Sequence, residues 1–250
     1  MDITKRKVGL LAVNLALSWV SVYAHNFLAA PGNGLVTTIP DIGVSRAAYR
    51  SLSTPGQVDI YEFTALKGQE IYVQMTVPLL DRESGFAPEF AVVSMGTADA
   101  AFAPQDLQKG TVLDAPHDVV DQIHPHQGAD ETEPPSIAVA YDGSAPQVFD
   151  EPFTGTRYWI RQTVTLTAPA DGTYRIGVYT RDGSTGKYVL APGRREQFGF
   201  GDILSLPSVR IQVRDFCEVP TWPDYLVLTT LAVAVAAGIG FGVFALVAAL

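Results

Sequence analysis

The sequence predicts an all-β fold: an extracytoplasmic antiparallel β-sandwich, jelly-roll-like in outline, with a single C-terminal transmembrane helix. Three observations predict it. Between residues 25 and 221 the dominant period is two, broken by Gly and Pro turns, and no long segment holds a period of 3.6. Long uncharged apolar runs stand only at the two ends of the 250-residue chain. Hydrophobic residues make up 47% against 17% charged, which excludes a disordered chain, and the single cysteine, Cys217, excludes a disulfide scaffold.

The N-terminal run has the three parts of an export signal. Lys5-Arg6-Lys7 is a positive start, Val8 to Val20 an apolar stretch broken by Asn14 and Ser18, and Val22-Tyr23-Ala24 a cleavage site. Residues 1–24 are therefore predicted to be a signal peptide, and the mature chain to begin at His25. An uncleaved signal anchor is the alternative, but the apolar stretch is short for a span.

The central domain, 25–221, is justified strand by strand. Gly32-Asn33-Gly34 is a turn near its start. Gln57 to Phe63 and Glu70 to Val77 alternate, and Lys67-Gly68-Gln69 between them predicts a hairpin. Glu89 to Ser94 and Ile137 to Tyr141 are shorter strands. Tyr158 to Leu166 alternates along its length. Tyr174, Ile176 and Val178 share a face, Lys187 to Leu190 follows, and Val209, Ile211 and Val213 predict a last strand over 208–213. Residues 97–135 carry Pro104, Pro116, Pro125, Pro134, Pro135 and many acids, and predict a long loop of the functional or mobile kind. Arg157 and Trp159 fall on one face, as a core edge or as a recognition surface.

Two blocks carry a resemblance. Val58-Asp59-Ile60-Tyr61-Glu62-Phe63 with Lys67-Gly68-Gln69-Glu70-Ile71-Tyr72-Val73 resembles the opening of the bacterial prepeptidase C-terminal-like β-sandwich. Pro169 to Tyr179, then Gly186-Lys187-Tyr188-Val189-Leu190, is similar to its closing strands. The resemblance implies an exported accessory module, usually non-catalytic, and brings no catalytic residue with it. The 97–135 segment and the terminal span depart from that pattern.

Residues 222–250 are predicted to form the membrane helix. Leu226 to Leu250 holds no charge, and at 1.5 Å per residue covers about 38 Å against a hydrocarbon core of about 30 Å. Trp222 and Tyr225 stand where an interfacial aromatic belt belongs. Ala234, Gly238 and Gly242 recur every fourth residue, a spacing that lets two helix backbones approach. It suits a homodimer or a membrane-protein partner. A lipid-anchor signal also ends in an apolar tail, but the polar spacer it needs is missing from 216–222. Cys217 is expected to be a buried thiol, or else an intermolecular disulfide between paired spans.

Function is less directed. Net charge is −9, and the leader is its basic part, so the exported domain is strongly acidic and nucleic-acid binding is excluded. No phosphate-binding Gly loop, nucleophile elbow or His-Glu-x-x-His occurs. The histidines are the unusual feature: His117, His124 and His126 fall in the 97–135 segment, and His25 heads the mature chain. An N-terminal histidine offers two nitrogens, its α-amine and its ring, and imidazole suits copper and zinc. His25 resembles in this the histidine brace of exported copper carriers and lytic polysaccharide monooxygenases, whose folds are also sandwiches. Carboxylates at Asp114, Asp118, Asp121, Asp130, Glu131 and Glu133 suit calcium, without EF-hand spacing.

The expected function is therefore a membrane-anchored, non-catalytic binding or structural module at a cell surface, in a periplasm or in a secretory lumen. The alternative is an exported copper- or zinc-binding protein using His25, His117, His124 and His126. A third reading puts Trp159 on a carbohydrate-binding face.

Overall fold

A computed structural model describes residues 26–28, 36–95, 102, 115–124, 137–140, 146–197, 200–230, 232–234 and 237. The strands in chain order are β1 (Asn26–Phe27), β2 (Val36–Thr38), β3 (Arg46–Leu52), β4 (Asp59–Ala65), β5 (Glu70–Pro78), β6 (Glu89–Ser94), β7 (Ile137–Ala140), β8 (Gln147–Glu151), β9 (Thr156–Thr167), β10 (Gly172–Tyr179) and β11 (Gly186–Pro192). Two helices join them, α1 (His117–Ile123) and α2 (Phe200–Phe216). A further helix runs over 222–230.

Among the described residues the strands form two sheets. One has the order β1-β3-β11-β5-β9-β8, the other β2-β4-β10-β6-β7. All pairings are antiparallel except β1 with β3 and β2 with β4. The fold is thus the predicted β-sandwich, with a parallel strand at one edge of each sheet.

Its core lies between the sheets. Tyr61, Phe63 and Ala65 point in from β4, and Ile71, Val73, Met75 and Val77 from β5. Tyr174, Ile176 and Val178 of β10 and Tyr188 and Leu190 of β11 complete it. The Phe63 and Tyr174 rings stack at 5.6 Å. Two hydroxyls meet across the layers: Tyr61 Oη and Tyr188 Oη are 2.8 Å apart, and Tyr188 donates to Asp59 Oδ2 at 2.5 Å. Gln57 Nε2 donates to Asp59 Oδ1 at 2.8 Å, so a directed chain of bonds ends on that carboxylate. Each buried hydroxyl thereby recovers the bond it loses with water.

Four expectations are corrected. The turn at 67–69 does not close a hairpin, because β4 and β5 lie in different sheets. Gly68 takes φ +82°, and its N–H donates to Ala168 O at 2.8 Å, so the turn arches across the core. Alternation reports which face is buried and is silent about the partner strand, and a Gly turn serves an arch as well as a hairpin.

The second correction concerns β9. Met75 opposes Gln162 but Thr76 opposes Ile160, so Arg161 is an extra residue, a β-bulge. The bulge reverses the faces: Val164 and Leu166 enter the inter-sheet core, while Tyr158 points out to a second cluster. Trp159 packs against the inter-sheet core, which makes it a core edge, with the Arg161 guanidinium 5.2 Å above its ring.

Third, 208–213 is not a strand. It lies inside α2, where Val209 and Val213 stand one turn apart on the face that Phe216 and Cys217 continue. Fourth, 97–135 is not loop throughout, since it contains α1. Val119, Val120 and Ile123 of that helix cover Ala91 and Val93 on the outer face of β6. Both sheets are therefore covered outside as well as inside, by α1 on one and α2 on the other. This explains why β6 is buried at every position.

Candidate functional site

The C-terminal arm is the part of the fold with the most specific construction. It starts from the face of α2. Val209, Val213, Phe216 and Cys217 pack on Ala47 and Tyr49 of β3, Val189 of β11 and Tyr158 of β9. Full burial of Val213 stabilises this contact by about 1.5–3 kcal/mol. The Tyr49 ring meets Phe216 edge-on at 5.4 Å.

Under α2 runs a buried polar chain. Glu151 accepts the backbone N–H of Phe153 at 2.9 Å and of Thr154 at 2.7 Å, and also the Thr154 hydroxyl. Thr154 Oγ1 lies 2.6 Å from Thr156 Oγ1, which donates to Tyr158 Oη at 2.9 Å. Cys217 Sγ donates to the same phenol at 3.2 Å. Burial pushes the Cys217 thiol up to about 11, against the lowering pull of its bond to Tyr158 and of nearby Lys187. Burial also raises Tyr49 and Tyr158 well above the usual phenol range. Cys217 is thus a buried free thiol in this chain, as the plainer of its two expected roles requires.

The chain then turns through 217–221. Lys187 Nζ, on β11, donates to Phe216 O at 2.6 Å and to Glu218 Oε1 at 2.9 Å. Arg82 forks onto the same carboxylate. Hydrogen bonds from Arg82, then Lys187, hold the Glu218 carboxyl down at about 2. Beyond the turn, the helix over 222–230 presents Trp222 (67% exposed), Tyr225, Leu226 and Val227 (65%) to the outside. So many exposed large apolar side chains on one short segment mark a contact surface. The arm therefore joins a sandwich face to an apolar exit.

Among the described residues no helix is long and apolar enough to cross a membrane. Ala234 is helical and exposed; Gly238 and Gly242 lie outside the described residues, as do residues 1–24.

The predicted metal residues are only partly placed. His117 is exposed at the first residue of α1, and His124 is buried at its C-terminal end, its N–H donating to Val120 O at 2.8 Å. The rise of a helix sets their backbones about 10 Å apart along the axis, so α1 does not bring these two together. His25 and His126 lie outside the described residues. Among the described residues no group of three or more His, Cys, Asp or Glu is arranged to hold a metal.

Sequence reasoning missed Glu151, Arg210, Arg214 and Asp224 as members of one construction. The legible signal was the crowding of Arg210, Arg214 and Asp224 about an otherwise apolar terminus.

No family model and no curated protein matches this chain. Among solved structures it is similar to the Salmonella Typhimurium protein PliG, described as a periplasmic lysozyme inhibitor of g-type lysozyme. Identity is 17%, coverage is 64% of this chain and 96% of that one, and the TM-score is 0.31. The Aeromonas hydrophila PliG shows 19% identity, coverage of 62% and 94%, and a TM-score of 0.30. The pre-peptidase C-terminal domain of a Bacillus anthracis collagenase shows 14%, 65% and 96%, and 0.29. Overlaps this low carry no argument about function.

Proposed function

We propose that this protein is a membrane-tethered extracytoplasmic β-sandwich that acts as a non-catalytic binding or structural module. The observation that carries the reading is the arm. A sandwich whose outer face grips α2 delivers the chain, through a clamped turn, to a helix whose one charge, Asp224, is turned back onto α2 and whose aromatic and aliphatic side chains face out. Trp222 and Tyr225 sit at the start of that helix, the place for side chains that are apolar in body and polar at the tip. The tether runs over 222–250, the export signal over 1–24. The Ala234, Gly238 and Gly242 face is the proposed route to a second copy or another membrane protein.

The test is intact mass and N-terminal sequencing of the full chain recovered from membranes. A mass that starts at His25 and still includes Leu250 supports a cleaved leader with a retained tail. Recovery of a chain that ends before residue 222 contradicts the tether. Metal analysis of the same sample addresses the copper- or zinc-binding alternative, which rests on the pattern of His25, His117, His124 and His126. Near-stoichiometric metal on a chain that starts at His25 would favour it; metal-free protein would remove it.

A further inference from the structure

The turn between α2 and the following helix contains an ion-pair arrangement that the tether alone does not require. Asp224 is the third residue of the helix over 222–230, and its side chain is only 14% exposed. Its Oδ1 accepts a hydrogen bond from Arg210 Nε at 2.8 Å, and its Oδ2 lies 2.8 Å from Arg214 Nε, an ion pair by distance without hydrogen-bond alignment. Both arginines stand on α2, four residues apart, on one side of the helix.

Arg214 is the hub. Its side chain is 12% exposed. Its Nη1 donates to Thr154 O at 2.7 Å, in the turn between β8 and β9, and its Nη2 donates to Pro220 O at 2.7 Å, in the interhelical turn. One guanidinium thus ties together the sandwich, the connecting turn and the second helix. Arg210 adds a second grip and lies 5.9 Å from the Phe153 ring of the same β8–β9 turn.

The connecting turn is also held from its other side. Glu218 adopts φ 58° although it is not glycine, a left-handed backbone that persists where its surroundings hold it. Arg82 and Lys187 provide that hold from the sandwich. Residues 217–224 are therefore clamped by four basic side chains, two on α2 and two on the sandwich.

From this we propose that Asp224 is a latch: its double ion pair with Arg210 and Arg214 fixes the direction in which the C-terminal helix leaves the sandwich. The helix and the sandwich then move as one body, and any partner or lipid surface that orients the helix also orients the β-sheets. The latch does not depend on the tether. Only its consequence for the pose above a membrane rests on that reading.

The test is a distance measurement in the full chain in detergent micelles. Spin labels are placed at Thr64→Cys, exposed on β4, and Val227→Cys, exposed on the helix, in a chain whose buried Cys217 is replaced by Ser. The unmodified latch is expected to give one narrow distance distribution. Asp224→Ala is expected to at least double its width while near-UV circular dichroism of the sandwich is retained. Arg210→Ala, which leaves Arg214 on the β8–β9 turn, serves where Asp224→Ala does not fold and is expected to broaden the distribution as well. An unchanged width in a folded Asp224→Ala or Arg210→Ala chain would overturn the latch, as would a broad distribution before any substitution. Flotation of the same samples with phosphatidylcholine vesicles reads the tether separately. Failure to float with a narrow distance removes the tether and keeps the latch.

Discussion

Glu218 shows how one residue can report on the whole arm. Its carboxylate is held well below the ordinary 4.5, at about 2, by Arg82 and then by Lys187. A carboxylate depressed on folding contributes stability above its unfolded value, and that contribution is lost as pH falls from about 4.5 toward 2. Glu218→Gln is expected to lower Tm at neutral pH and to remove the part of the acid transition in that window. A Tm-against-pH profile from about pH 7 to pH 2 checks it, and superimposable profiles would count against the clamp. Cys217 makes a second prediction. With its thiol pushed up to about 11 by burial, labelling by a maleimide near neutral pH is expected to be slow in the folded chain and fast in denaturant. Equal rates would show an open thiol. A buried Cys217 was one of the two readings the sequence offered, but its bond to Tyr158 and the clamp on Glu218 were not legible, because Arg82, Lys187 and Tyr158 are far away along the chain.

At the scale of elements, the readable parts were those with one wet face. β10 alternates plainly, and Tyr174, Ile176 and Val178, read as one face, are its inward side; β4 alternates as well, with Tyr61, Phe63 and Ala65 turned in. What alternation cannot carry is a change of face or of partner. Arg161 bulges from β9 and reverses its faces, and Gly68 sends the chain to the opposite sheet. In α2, Val209, Ile211 and Val213 imitate a strand, and Pro207 argues against a helix interior. The register that wins is 209, 213, 216 and 217, because the outer face of β3 and β11 offers an apolar bed. Val213→Ala is expected to cost about 2 kcal/mol in urea unfolding, from two lost methyls and a residual cavity. On the other sheet α1 is seated over Gly177, where any Cβ would overlap the Ile123 side chain. Arg175 holds the same helix end, with Nη1 donating to Ile123 O at 2.9 Å while it also pairs with Glu62. Gly177→Val is expected to unseat α1 and destabilise by about 1–3 kcal/mol, seen as lost amide-exchange protection over 117–124 with β4 and β10 still protected. Full protection of α1 in that variant would contradict the packing described.

The whole molecule joins a two-sheet core, a helix on each outer face and an arm that carries a largely apolar helix outward from one end of β11. Lys187, near the start of β11, meets the end of α2, while Arg194 and Arg195 follow the strand at its other end. The C-terminal helix therefore departs from the Lys187 end. The acidic charge and the uncharged terminus were legible from composition alone, since they are sums over residues. The arm was not, since it depends on Glu151, Thr154, Arg210, Arg214 and Asp224 meeting in space. The central claim is that residues 222–250 hold an extracytoplasmic sandwich to a membrane. Alkaline carbonate extraction of membranes that express the full chain, beside a chain ending at residue 221, tests it most directly. The full chain is predicted to stay in the membrane pellet and the shortened chain to be released. Release of the full chain into the supernatant would contradict the tether.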